Sequence, residues 1–396
     1  MSNEMRSRIL VAHRPSEGRV SRNVPSKDRY MKPLTTSVDV DEHDGLWYPS
    51  LAAEITVGTP AQSLLVEYDL FYHSDLLLID FNATVDHWGH DPDANETFYH
   101  PELSSTYSDQ RHNFTINQYD SGHVGQDVAN IGDISKTVSF GILDEAGLDN
   151  GAAGIVGLSH TKSVISNTSG NLVTQLSSKL DQPIVSYTQN WILPSRQRAT
   201  GHITLGALDE DNCQKTWTWG ANNDVKYGYG VNSSRVSALA RNGSAIDTET
   251  ITTKVYLDQG WETMLASENV FNMFLNASGA VWNSSQWQYM VDCDSIGMLG
   301  NVVFGIGDND KAIIVTPVEY VFKEGKYGCT LEVTNAGQAE VDFFIHSSLF
   351  FYNHCLAYNY KTDQVGISRT KIDHDPSASY SYEANNTSSY QYSYES

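Results

Sequence analysis

Two short apolar runs that end in aspartate constrain this chain more than any other feature. They are LLVEYD, closing on Asp69, and TKVYLD, closing on Asp258, and they stand 189 residues apart. Moving GIVGL (154–158) by the same offset lands on the apolar stretch DFFIHS (342–347). A repeat of this kind implies two similar halves, each offering one aspartate at a strand end. Short β runs with turn punctuation surround them: AAEITVG (52–58), GHITLGAL (201–208), NVVFGIG (301–307) and KAIIVT (311–316). Helical periodicity is confined to NLVTQLSSKL (171–180) and SENVFNMFLNA (267–277). The expected class is all-β, mostly antiparallel, with a few short helices.

The length of 396 residues is enough for two lobes with substantial cores. With 48 acidic against 25 basic residues, the formal charge of −23 argues against nucleic acid as a partner and repels anionic membrane surfaces. No run approaches the ~18 apolar residues of a membrane helix. Residues 1–37 form a basic arm, with Arg6, Arg8, Arg14, Arg19, Arg22, Lys27, Arg29 and Lys32 against Glu4, Glu17 and Asp28. From His374 the chain is a Ser/Tyr-rich segment of low complexity, and residues 372–396 are expected to be a disordered tail.

Asn-x-Ser/Thr sequons occur at Asn82, Asn95, Asn113, Asn167, Asn232, Asn242, Asn276, Asn283, Asn385 and Asn386. Their number points to a secreted or lysosomal/vesicular glycoprotein. The opening MSNEMRSRILVAHRPSEGR has no apolar core and does not read as a signal peptide, so either the true start lies upstream or this chain lacks it. Four cysteines without a CxxC suit disulfides rather than a zinc knuckle or a redox dithiol.

Read in order, several segments resemble the pepsin-like aspartic proteases. EITVGTPAQSLLVEYD is similar to the family's first strands and first catalytic aspartate. ELSSTYSD (102–109) looks like its Ser-Ser-Thr-Tyr segment, and QYDSGHVGQDVANIGD (118–133) like its flap hairpin. AAGIVGLSH, KVYLDQG and YKTDQVGIS (360–368) resemble the strand behind the first aspartate, the second aspartate strand and the closing strand. The resemblance spans roughly residues 38–369. It implies a bilobal fold with a central cleft, an N-terminal lobe over 38–220 carrying the flap, and a C-terminal lobe over 221–371. The arm of 1–37 would be a propeptide remnant.

The same resemblance assigns residues. Asp69 and Asp258 are the expected catalytic pair, and Tyr119, Ser121 and Gly122 the expected flap and substrate-binding residues. Cys293 and Cys329 fall where the family places its C-terminal-lobe disulfide. Cys213 and Cys355 resemble an additional pair of nematode members. The place of the N-terminal-lobe disulfide is taken by DHWGHDPD (86–93). Its His87, His90, Asp86, Asp91 and Asp93 are metal-binding types, yet they match no defined motif and read as a solvated polar loop. No metal or cofactor is expected. The expected partner is a peptide or protein in the cleft of a monomer.

In this chemistry two facing carboxylates share a proton, because proximity raises one pKa. The ionised partner takes a proton from an attacking water while the protonated one stabilises the developing gem-diol. The family supports each aspartate with Thr-Gly and then Ser or Thr. Here the triplets are Asp69-Leu70-Phe71 and Asp258-Gln259-Gly260, followed by Tyr72 and Trp261. Leu70 lacks the hydroxyl that bonds between lobes, and Phe71 puts a large ring where a glycine is expected. Misplacement of about 1 Å costs about a hundredfold in rate. The leading expectation is therefore a catalytically impaired family member that binds peptide or protein. An active acid endopeptidase using Asp69 and Asp258 is the alternative.

Overall fold

The structure, a computed structural model, describes residues 36–44, 49–85, 97–147, 152–165, 170–190, 200–223, 229–257, 263–306, 309–324, 328–337, 343–345 and 348–371. Strands dominate them, and the helices are few and short. The strand Gln62–Asp69 shows why: Leu64, Val66 and Tyr68 point into the core while the residues between them stay accessible. That period of two is what a half-buried strand requires. The expected runs become Pro49–Val57, Thr200–Leu205, Asn301–Ile306 and Asn309–Val315. The two helical segments become Leu172–Leu176, capped by the Asn171 side chain on Thr174 N, and Glu268–Ser278, ended by left-handed Gly279.

The internal repeat is realised as strand pairing. Gln62–Asp69 runs parallel to Gly154–Gly157, with Tyr68 opposite Val156. Thr253–Leu257 runs parallel to Phe343–Ile345, with Leu257 opposite Ile345. Both partners have moved by the same 189 residues. Each short central strand then takes an antiparallel neighbour, Leu76–Val85 in one half and Met264–Ala266 in the other. Each neighbour in turn takes a parallel one, Ile134–Ala146 and Val333–Asn335. A parallel partner that inserts between two strands of one hairpin-like segment packs backbone on backbone. Gly157 shows the consequence: an added Cβ would lie 2.5 Å from the His73 carbonyl carbon, so no larger residue fits.

The first set belongs to a 13-stranded sheet that also contains the last two strands, His354–Asn359 and Gln364–Arg369. These join through Ile184–Asn190, with Leu356 opposite Tyr187. Strands between Tyr229 and Ile345 form three smaller sheets. Cys213–Cys355 and Cys293–Cys329 are disulfides, with Cα–Cα separations of 6.0 and 5.3 Å. The first strand, Thr36–Asp44, begins just inside the expected arm and pairs with Thr200–Leu205. The rest of the arm, the loop 86–93 and the tail 372–396 lie outside the described residues.

Candidate active site

Asp69 ends its strand and starts a loop that folds back over its own carboxylate. Oδ1 accepts from the backbone N–H of Phe71 at 2.7 Å and of Tyr72 at 3.0 Å. Oδ2 accepts from the backbone N–H of His73 at 2.9 Å and from the His73 ring through Nδ1. Four donors thus surround a carboxylate whose side chain is 12% exposed. Burial pushes the Asp69 carboxyl up, but the hydrogen bond and charge of His73, with the Phe71 and Tyr72 amides, outweigh it and hold it below its ordinary value. Burial pushes the His73 imidazole down. The Asp69 hydrogen bond and charge, with Glu67 and Asp120 further off, more than offset this and hold it above its ordinary value. Both shifts favour the pair of carboxylate and imidazolium.

Backbone hydrogen bonds tie the loop at its base. Leu158 N donates to the Asp69 carbonyl at 2.7 Å, Ser159 N to that of His73 at 2.9 Å, and Gly157 N to that of Asp75 at 2.9 Å. Leu172 N takes the Ser74 carbonyl at 2.8 Å. Tyr72 holds the sequence position where the family pattern calls for a small hydroxyl, and it is the His73 ring that bonds Asp69 Oδ2. Sequence reasoning gave His73 no role, although an imidazole four residues past the aspartate was the available signal. Asp75, two residues after His73, is buried: its Oδ2 accepts from Val164 N at 2.8 Å. Burial raises its pKa despite hydrogen bonds from Ser163, Val164 and Ile165.

Phe71 does not turn out into solvent. Its ring is 3% exposed and meets Tyr229 edge-on at 5.7 Å and Phe351 at 6.4 Å. Those two residues come from the strand Tyr229–Ser233 and the helix Ser348–Asn353. The ring therefore welds the Asp69 loop to elements far along the chain, beside Leu70, itself 2% exposed. Tyr229 carries the contact onward by donating its hydroxyl to the Leu158 carbonyl at 2.9 Å, and Tyr360 donates to the same oxygen. Tyr72 points outward at 46% exposure.

Of the expected flap residues, Tyr119 lies in a hairpin loop and Ser121 and Gly122 open the strand that follows it. Strands Ser108–Thr115 and Ser121–Ile131 pair antiparallel, with Thr115 opposite Ser121, and Tyr119 sits in the loop between them, exposed. That loop is tied down. Asn117 Oδ1 accepts from Tyr119 N and Asp120 N, and Asp120 Oδ1 accepts from Gly147 N at 2.9 Å. Ser121 donates its hydroxyl to Glu145 Oε2 at 2.9 Å. Gly122 lies against the neighbouring strand so closely that a Cβ would meet the Ile142 carbonyl oxygen at 1.9 Å. Asp258, Gln259, Gly260 and Trp261 lie outside the described residues. Asp258 directly follows Leu257, the last residue of its strand.

Among the described residues no group of three or more His, Cys, Asp or Glu is arranged to hold a metal ion. No helix among them is long and apolar enough to cross a membrane. Comparison with known proteins gives a consistent picture. The family model described as eukaryotic aspartyl protease matches residues 50–370. Aspartic protease 1 of Caenorhabditis elegans is 26% identical over 337 residues, covering 79% of this chain and 80% of that one. Syncephapepsin of Syncephalastrum racemosum is 25% identical, covering 81% and 77%. Gastricsin of Callithrix jacchus is 22% identical, covering 87% of each. With a family match over most of its length and the duplicated aspartate strands in register, the chain belongs to the pepsin-like eukaryotic aspartyl protease family.

Proposed function

We propose that this protein is a catalytically impaired pepsin-like aspartic peptidase that binds a peptide or protein segment in the cleft between two lobes, roughly 38–220 and 221–371. One observation carries the reading: the Asp69 carboxylate is already saturated. A general base must leave a lone pair free for the attacking water, and a dyad must let one of its acids keep a proton. Asp69 spends its lone pairs on three amides and an imidazole. Freeing one of these charge-assisted bonds costs about 1.5–3 kcal/mol, a rate factor of about ten to a hundred. Phe71 adds to this, because its ring anchors the loop in that conformation. Tyr119, Ser121 and Gly122 would cover the bound segment from a hairpin held by Asp120 and Glu145.

Hydrolysis of an unstructured protein between about pH 3 and pH 5, where a proton-sharing dyad works, tests this. The wild type is expected to match Asp69→Asn and Asp258→Asn at background. Robust cleavage that both substitutions abolish sinks the proposal and installs the second reading, an active acid endopeptidase. What favours that second reading is the matched register of the two aspartate strands and the fact that the relatives are named as proteases and pepsins.

The ten sequons support passage through a secretory pathway to a secreted or vesicular monomer. Asn82, Asn113, Asn232, Asn242 and Asn276 are exposed, as glycan attachment needs. The two disulfides agree with an oxidising compartment.

A further inference from the structure

A strand at the end of a sheet presents unpaired N–H and C=O groups, and a second chain can add a strand there unless the edge is covered or interrupted. Each of the four sheets has two such ends. Thr218–Ala221, Val281–Asn283, Val321–Glu324 and Val333–Asn335 are only three or four residues long, and so poor templates. The longer ends are Ser108–Thr115, Tyr229–Ser233, Ala245–Glu249 and Asn309–Val315. Two of these are covered by the chain itself. Asn223 N donates to the Gly230 carbonyl at 2.9 Å, and the Arg369 side chain donates to the Ile314 carbonyl at 3.0 Å. Among the described residues no other strand takes the outer side of Ser108–Thr115 or Ala245–Glu249.

Both open edges carry exposed sequons. On Ser108–Thr115 the register shifts between Asp109 and Asn113, and Asp109 and Arg111 add charge, so the first part of the edge is interrupted. Residues 113–115 are regular again, opposite His123, Gly122 and Ser121, and none of them is charged. The sequon Asn113-Phe114-Thr115 falls on that stretch. Phe114 is buried, so Asn113 projects from the opposite face of the strand, where it is exposed. Ala245–Glu249 follows a turn that holds the sequon Asn242-Gly243-Ser244. Asn276, of the sequon Asn276-Ala277-Ser278, donates from Nδ2 to Asp247 Oδ2 on that same strand at 2.8 Å. Asn242 and Asn276 are both exposed. We propose that N-glycans on Asn113, Asn242 and Asn276 cover these two edges and prevent a second copy of the chain from adding a strand. An added strand would lie about 4.8 Å beyond the edge, within the space that a bulky glycan on or beside it fills. A glycosylated Asn276 keeps one N–H on Nδ2, so its bond to Asp247 survives the modification.

This proposal rests on the secretory reading above, and the test separates the two. The full chain is secreted from a eukaryotic host and each sequon is scored for glycan by enzymatic release in heavy-oxygen water and mass spectrometry. Sedimentation over a range of concentrations then reads self-association. Compared are the native glycoprotein, the same protein trimmed to its first sugars after folding, Thr115→Ala, and Ser244→Ala combined with Asn276→Gln. Thr84→Ala and Ser234→Ala are controls, removing the exposed sequons at Asn82, on an interior strand, and at Asn232, on a covered one. Asn113, Asn242 and Asn276 are expected to be occupied. The trimmed protein and both edge variants are expected to rise with concentration toward about twice the monomer mass, while native protein and controls stay monomeric. Thr115→Lys, which loses the sequon but charges the edge, is expected to stay monomeric too. Empty Asn113, Asn242 and Asn276 beside occupied sequons elsewhere overturn the inference and leave the secretory reading standing. A trimmed protein that stays monomeric overturns it whatever the variants do, because that protein has already folded. Controls that associate as strongly as the edge variants make the glycans general solubilisers and overturn it as well. No glycan at any sequon removes both readings.

Discussion

Replacing Asp69 by Asn removes one charge and turns one acceptor oxygen into a donor. Oδ1 is shared by two amides and Oδ2 by an amide and an imidazole. Whichever side the new amide group takes, it faces an N–H: the Phe71 and Tyr72 donors on one side, the His73 donor on the other. In the better orientation the His73 amide is left unpaired and the ion pair to its ring is lost. Hydrogen bonds to charged groups contribute about 1.5–3 kcal/mol each. The Asp69 side chain is 12% and the His73 side chain 23% exposed, so water screens the pair only in part. Allowing for that, Asp69→Asn should destabilise the fold by about 2–4 kcal/mol near pH 6. Urea unfolding at that pH measures it. The sign is diagnostic: an aspartate facing a like-charged partner across a shared water would gain stability on neutralisation. An unchanged or higher midpoint in Asp69→Asn would refute the ion-pair account.

The pH dependence of that difference follows from the two shifts. Asp69 is depressed, so its contribution is complete above its ordinary value and is lost as the pH falls through its folded value. His73 is raised, so its contribution is complete below its ordinary value and is lost as the pH rises through its folded value. The gap between wild type and Asp69→Asn should be widest between those two limits and narrow on both sides.

Phe71→Gly restores the family residue but empties a buried aromatic site, and should cost about 3–5 kcal/mol without creating proteolysis; calorimetry and the acid hydrolysis assay check both. Asp75 is raised by burial, so its ionised form works against folding at neutral pH. Asp75→Asn should therefore increase Tm near pH 7 and do little near pH 3, in a thermal melt at each pH. Cys293→Ser with Cys329→Ser opens a loop of 36 residues and should cost about 3–4 kcal/mol on the chain-entropy model, read as a lower urea midpoint under non-reducing conditions.

Much of the framework was legible in the sequence because it rests on periodicity and order. The 189-residue offset linking LLVEYD to TKVYLD survives intact as strand register, since a one-residue slip would turn each strand inside out. The helix at Glu268–Ser278 was visible in its apolar spacing. Cys213 and Cys355 were paired only through the family pattern, because four cysteines alone allow three pairings. The heart of the site was harder to see. Phe71 could be recognised as foreign to its position, but the destination of its ring depends on Tyr229 and Phe351, far away in the chain. His73 belongs to no periodic pattern. Its return to Asp69 depends on the path of a loop pinned by Leu158, Ser159 and Leu172 through backbone bonds that side-chain identity does not encode.

Site-specific NMR titration of the Asp69 carboxyl carbon and the His73 ring nitrogens tests the central claim most directly. The account predicts a single Asp69 transition below the ordinary carboxylate range and a His73 transition above the ordinary imidazole value, with Nδ1 carrying a proton throughout. An Asp69 carboxyl that titrates in two steps, one of them displaced upward and coupled to Asp258, while His73 titrates like a free imidazole, would contradict it. Asp69 would then be half of a working dyad.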